Sequence, residues 1–318
     1  MKRFLIALMA LVAITVSNAQ VVPVAILTSG DEVTTFYGKE ALRHAHQAAK
    51  EGDVINLSPG SFLWTEINKG VSIIGSGVDP NSPDGYTRIL TGFEGHMRLR
   101  HPESSELRLE NLYMEARVLH TGSKGKVWMK RCNVPQVYGD PWNAEYGEIQ
   151  VSNCVFRDQF RANAKSIVYN SEFSGYVDID RSEVGHYFSN CVFQGQRPSN
   201  SSCENCIFVN QGGRLHDSTS ATGCKYIGSM TDFFQAQNGD NECVDATNVF
   251  KENTFYELSD EYAQKWLAKD GSQIGLYGGP EPFTLIPDNP RITKFNVASK
   301  TLADGKLSVD IEVVNPTK

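Results

Sequence analysis

A four-residue pattern recurs through the middle of the chain and restricts its fold more than any other feature. Asn153-Cys154-Val155-Phe156 returns as Asn190-Cys191-Val192-Phe193 and as Asn205-Cys206-Ile207-Phe208. Related copies begin at Asn111, Arg131, Asn170 and Gly223, so the first positions are 20, 22, 17, 20, 15 and 18 residues apart. A unit this short cannot bury its own apolar face. Stacked on its neighbours it builds a continuous core, which predicts a solenoid. So many related copies argue against a β-sandwich that carries the pattern by coincidence.

The pattern suits one coil of such a solenoid. Asn tolerates the left-handed backbone of a sharp corner, and is expected to hydrogen-bond to its equivalent one coil away. Strand alternation then turns the second and fourth positions, mainly Cys and Phe, into the core and the third outward. The flanking segments agree. Val54-Ile55-Asn56-Leu57, Val71-Ser72-Ile73-Ile74, Arg88-Ile89-Leu90, Met97-Arg98-Leu99 and Leu107-Arg108-Leu109 are short, β-rich and bounded by turn residues. Tyr37 to Glu51 reads as a helix with Ala41, Leu42, Ala45, Ala48 and Ala49 on one face, stopped by Gly52-Asp53. Loops break the rhythm at Val137–Gly147 and Met230–Asn248, and the repeat is expected to resume near Asn253-Thr254-Phe255. Ser259 to Lys269 reads as a second helix with Ser259 as N-cap. After a Pro-rich connection, Ile292–Val297 and Leu307–Val314 are expected to form a hairpin against the open end of the solenoid, about ten coils long.

The opening resembles the start of right-handed parallel β-helix proteins of the pectate-lyase-like type. Ala41, Ala45, Ala48-Ala49, Gly52-Asp53-Val54-Ile55, Leu57, Pro59-Gly60 and Ile73-Ile74-Gly75-Ser76-Gly77 carry the resemblance, which extends over roughly residues 38 to 280. Gln273-Ile274-Gly275-Leu276-Tyr277-Gly278-Gly279 is similar to the closing segment of secreted bacterial β-helix proteins of unassigned function. The resemblance implies an all-β, right-handed parallel β-helix with a capping helix at its start and three short strands per coil, ending in a helix and a β-hairpin tail. It implies no catalytic residues. Val127-Trp128-Met129-Lys130-Arg131 keeps two positions of the family's Val-Trp-Ile-Asp-His strand and lacks its Asp and His. Arg100-His101-Pro102 opens an Arg-x-Pro-x-x-Arg motif whose second Arg is replaced by Ser105. The polygalacturonase motifs are missing too; Gly185-His186-Tyr187 is a fragment of one.

The first residues read as an export leader. Lys2 and Arg3 precede an apolar run of about 13 residues, Phe4 to Val16, and Ser17-Asn18-Ala19 offers a cleavage site. The run falls short of the ~20 residues a membrane span needs. Expected segments are therefore a leader at 1–19, a lead-in at 20–36, the β-helix with its capping helices at 37–280 and a β-tail at 281–318. The protein is expected outside the cytoplasm, secreted, periplasmic or at the cell surface, as a monomer. Cleavage after Ala19 of 318 residues leaves 299, and loss of Lys2 and Arg3 takes the formal charge from −7 to −9. Such a chain has no electrostatic footprint for nucleic acid, so an acidic ligand would need a local basic patch. Seven cysteines in an exported chain invite a disulfide reading. Five of them, Cys132, Cys154, Cys191, Cys206 and Cys224, share one repeat position, which favours a buried column of thiols. Cys203 and Cys206 form a single C-x-x-C with no second pair to complete a metal site.

Overlaying the coils aligns Arg98-Leu99-Arg100, Val118-Leu119-His120, Arg161-Ala162-Asn163, Asp178-Ile179-Asp180 and Arg214-Leu215-His216. If each middle residue faces the core, an outward stripe remains: Arg98, Arg100, His120, Arg161, Asn163, Asp178, Asp180, Arg181, Arg214 and His216. Arginines grip carboxylates through paired hydrogen bonds, and Asp178 with Asp180 offers a Ca²⁺ ligand set that would bridge to a uronate. His120 and His216 suit a general base by their pKa; Arg181 would need a strongly lowered one. Tyr138, Trp142 and Tyr146 are placed to stack on sugar rings. The expectation is an acidic polysaccharide as partner, bound and in the enzymatic version cleaved by β-elimination. The alternative is a non-catalytic adhesion or scaffold protein whose stripe is an ordinary solvated face. Asp240, Glu242 and Asp245 lack the spacing of a calcium loop and read as an exposed acidic loop.

Overall fold

A computed structural model describes residues 22–288 except 83–84, 92–94, 121–123, 140–146, 163–164, 178–184 and 236–239, together with the backbone of 291–297 and 309–314. The proposed leader lies outside the described residues. Among them no helix is long and apolar enough to cross a membrane.

The chain winds into a parallel β-solenoid of about eight turns, fewer than the ten expected. Three ladders of parallel strands make its faces. The first runs through Val54–Leu57, Ser72–Gly77, Glu106–Met114, Lys126–Lys130, Ile149–Ser152, Ser166–Tyr169, His186–Ser189, Ser201–Glu204 and Ser220–Thr222. The second follows the repeat's corner, through Asn133, Val155, Glu172, Val192, Ile207, Lys225 and Glu242. The third runs through Met97, Val118, Val137, Phe160 and Val177.

All seven first positions of the repeat adopt positive φ: Asn111 58°, Arg131 50°, Asn153 56°, Asn170 44°, Asn190 54°, Asn205 54° and Gly223 63°. Arg131 pays for a conformation that Asn and Gly accept more readily. Its guanidinium is held by Asp288 at 2.6 Å. At five of the corners, from Arg131 to Asn205, the backbone N–H donates to the carbonyl ending the first-face strand of the next coil, as from Asn153 to Tyr169, Asn170 to Ser189 and Asn190 to Glu204. The expected side-chain ladder takes another course. Asn170 Nδ2 donates to the carbonyls of Leu276 and Gly278, and Asn153 Oδ1 accepts from the Thr284 N–H. The corner therefore anchors a C-terminal strap.

Inside the coils, Phe156, Phe173, Phe193 and Phe208 form a stacked column with centroids 5.0 Å apart and interplanar angles of 9° to 13°. Beside it the five aligned cysteines are fully buried free thiols; the Cys132 N–H donates to Cys154 Sγ and the Cys206 N–H to Cys224 Sγ. Burial pushes the Cys154, Cys203, Cys206 and Cys224 thiols up in pKa, so they remain protonated hydrophobes.

The third position of the repeat does leave the lumen, but it is not solvated. Val155, Val192 and Ile207 form a second core with Val249, Leu258, Trp266 and Ile274 and with Leu276 and Phe283 of the strap, residues 275–288. The expected resumption of the repeat at Asn253 falls in this outer layer: Asn253 is left-handed at 58°, yet Phe255 is partly exposed and stacks on Phe283 outside the coils. Helix α2 is shorter than expected, Asp260–Lys265.

Helix α1, Ala41–Ala48, places Ala41, Leu42 and Ala45 in the main core. It starts later than expected because Tyr37 belongs to a strand. Residues read as a featureless lead-in form a hairpin, Val24–Ser29 with Glu32–Tyr37, whose first strand pairs antiparallel with Val54–Leu57. The edge of the first coil is thereby covered. In the tail, Arg291–Val297 pairs antiparallel with Val309–Val314; the connection between them and the expected docking on the solenoid end lie outside the described residues.

Two stability outcomes follow from this packing. Phe173→Ala should cost about 3–5 kcal/mol in urea unfolding, because its ring is stacked on both sides and cannot be replaced by collapse of the column. Glu172 occupies a third position between Val155 and Val192 and is buried beneath the strap. Burial raises its pKa, against hydrogen bonds from Gln194 and Ser174 that lower it. A carboxyl whose pKa is raised on folding stabilises below its unfolded pKa, and that contribution is lost as pH rises through the folded pKa. Glu172→Gln should therefore raise the unfolding midpoint at neutral pH, and the gain should vanish below about pH 4. An equal gain at both pH values would contradict this.

Candidate functional site

Of the predicted stripe, the third face brings Arg98 and Arg161 into one outward row, and it places His120 one register off. His96 pairs with Arg117, Met97 with Val118, Arg98 with Leu119 and Leu99 with His120. The next coils place Tyr138 beside Leu119 and Arg161 beside Tyr138. The outward row is thus Arg98, Leu119, Tyr138 and Arg161. His120 follows Leu99 into the lumen and is fully buried. The overlay had centred that coil on Leu119; Val118 and Leu119 are equally apolar, and a slip of one residue exchanges the two sides of a strand.

Burial holds the His120 pKa down at about 3, with His101 nearby adding to the effect. A ring inside the lumen cannot reach a ligand outside it, so His120 leaves the set of candidate bases.

Outward groups meet along four coils. Arg98 Nε donates to His96 Nε2 at 3.3 Å, and Trp64 lies 6.4 Å from the His96 ring. Arg100 is exposed and pairs with Glu66 at 3.5 Å. Arg117 is exposed and stands beside His96 in the neighbouring outward row, a position outside the predicted stripe. The Arg161 guanidinium sits 5.2 Å from the centre of the Tyr138 ring, so an aromatic face and a bidentate cation form one surface. Tyr138, expected beside the stripe on a loop, is part of the strand itself. Strand pairing of Arg117 with His96 was the missing signal.

Arg214 and His216 stand apart. Both are exposed and flank buried Leu215, but they lie two coils beyond the Tyr176–Val177 strand, and Arg214 is held by Asp232. Asn163, Asp178, Asp180, Arg181, Trp142 and Tyr146 lie outside the described residues. Among the described residues no group of three or more His, Cys, Asp or Glu side chains is arranged to hold a metal ion. Glu242 of the expected acidic loop accepts hydrogen bonds from Lys265 Nζ at 2.8 Å and Trp266 Nε1 at 2.9 Å, so it fastens α2 to the solenoid.

The first face holds a concavity that sequence reasoning missed. A groove of about 670 Å³ runs over Arg108, Trp128, Gln150 and Tyr169, and Pro280 and Glu281 of the strap form its wall. In the sequence, Trp128 stands out only as a remnant of a family motif.

The buried histidines predict an acid limit to stability. Burial lowers the pKa of His46 and His186 to about 4 and that of His120 to about 3. Their contribution is complete above the unfolded pKa of about 6.5 and is lost as pH falls toward the folded values, because the unfolded chain then binds the protons. The urea midpoint should drop between about pH 7 and pH 5, and His120→Leu should flatten the drop. A His120 ring signal titrating near 6.5 in NMR would refute the lumen assignment.

Compared with known protein families, curated proteins and solved structures, the chain matches none.

Proposed function

We propose that the chain binds an acidic polysaccharide along the third face of the solenoid. The observation that carries this reading is the outward face itself: Arg98 and Arg161 stand in one row, Arg117 in the neighbouring row beside His96, all on separate coils, with Tyr138 packed against Arg161. Coils are ~4.8 Å apart, so cations recur on the scale of a polymer laid along the axis. A repeating uronate offers a carboxylate for each Arg and an apolar ring face for Tyr138. The chain's net charge of −7 repels such a polymer, which makes the local row, and not bulk attraction, the source of affinity. The pectate-lyase-like resemblance and the leader support the same reading: an exported β-helix would meet extracellular polysaccharide.

Binding without cleavage is the version these groups favour. His120 faces the lumen and His216 lies beyond the row, so β-elimination would rest on Asp178, Asp180 and Arg181, with Ca²⁺ as the bridging ion.

Titration of the mature protein with polygalacturonate and with alginate, with and without Ca²⁺, tests both versions. Arg98→Ala and Arg161→Ala should each weaken binding by about three- to tenfold, and the double variant by more. Affinity should fall as salt rises. Failure of both polymers to bind, or binding indifferent to both substitutions, overturns the proposal. Growth of ultraviolet absorbance from unsaturated products would move the protein from binder to lyase.

A further inference from the structure

The groove on the first face differs in chemistry from the third, and its contents point to another ligand. Its floor is made of outward side chains from successive coils. Arg108, Trp128 and Gln150 are in register, and so are Glu110, Lys130, Ser152 and Tyr169. Its volume, about 670 Å³, is that of a small-molecule site with room for several sugar rings.

Charge in this groove is already spent. Arg108 pairs with Glu106 at 3.4 Å, Lys126 with Glu148 at 3.2 Å and Lys130 with Asp288 at 3.2 Å. Glu110 and Glu281 add acidic groups to the lining. A polyanion gains little here. Rings and neutral hydrogen-bonding groups remain. Tyr169 is 42 % exposed, and its ring is steadied by an edge contact with Tyr187 at 6.0 Å. Tyr187 is in turn anchored through its hydroxyl, which donates to Glu204 at 2.6 Å. Trp128 is fixed by the Lys126 ammonium 4.7 Å from its ring centre and the Arg108 guanidinium at 5.6 Å. Its indole N–H is shielded from solvent, with no hydrogen-bond acceptor among the described residues, so the ring and not the N–H is what the groove presents. Gln150 and Ser152 lie between the two rings and offer amide and hydroxyl groups.

We infer that this groove binds a neutral oligosaccharide, which would run along the solenoid axis across Trp128 and Tyr169 against the wall formed by Pro280 and Glu281. Sugar rings present C–H faces to aromatic side chains and hydroxyls to the amide, serine and carboxylate groups, and they bring no charge to a site whose cations are already paired. The inference does not rest on the acidic-polysaccharide reading, because the two sites share no residues.

Calorimetric titration of the whole mature protein with cellohexaose, xylohexaose and mannohexaose tests it. At least one should bind. Tyr169→Ala should weaken that binding by about three- to tenfold and Gln150→Ala, which removes the amide, by a similar factor. Arg161→Ala on the third face should leave it unchanged, and hexagalacturonate should not compete. Tyr169 is exposed, so its variant tests the site without threatening the fold; matching circular dichroism confirms that. The inference is overturned if none of the three sugars binds, if binding survives both groove substitutions, or if hexagalacturonate displaces the neutral sugar as a rival for one site.

Discussion

The structure depends on a backbone corner that each coil must repeat. At Asn111, Arg131, Asn153, Asn170, Asn190, Asn205 and Gly223 the chain turns through a left-handed residue, and between those corners the strands pair with the coils before and after. Parallel strands need every N–H and C=O met by a neighbouring coil, so an error at one corner would propagate along the ladder. The corner also sets which residues enter the lumen. One position on, five of the seven corners deliver a thiol; three positions on, four deliver a phenyl ring to a column whose members sit 5.0 Å apart.

The same corners organise the outside. Their side chains and backbone hold residues 275–288 in an extended strap: Asn205 accepts from the Gly275 N–H, Asn170 binds the carbonyls of Leu276 and Gly278, Asn153 meets Thr284, and Arg131 meets Asp288. With α2 and the residues around it, the strap covers the second face and makes it a second core. Its edge also becomes the wall of the first-face groove. The three faces thus acquire different chemistry from one winding rule: a covered apolar face, a walled groove with aromatic rings and closed ion pairs, and a row of arginines with a tyrosine.

Much of this was legible in the sequence because it depends on local periodicity. The Asn-Cys-x-Phe spacing predicted parallel coils, left-handed corners and the inward Cys and Phe columns, each of which is observed. Arg98 and Arg161 were legible as polar residues flanking apolar ones, whereas Tyr138 was read into a loop and only strand pairing places it in the row. His120 was placed on the wrong side because Val118-Leu119 offers two equivalent apolar residues, and only pairing with Met97-Arg98 decides which one faces inward. The N-terminal hairpin was obscured because its second strand is polar and largely exposed. The first-face groove could not be read at all: its floor comes from coils about 20 residues apart and its wall from a segment well over a hundred residues later.

By itself the sequence determined the winding of this protein, since corner conformation and strand alternation are properties of a few neighbouring residues. Tertiary structure alone decided which outward residues are usable. Val155, Val192 and Ile207 point away from the lumen as surely as Arg98 and Arg161 do, yet they are buried, because the strap returns over them. Exposure is a property of what packs on a face, and that is set by the distant segment whose backbone hydrogen bonds the corners satisfy.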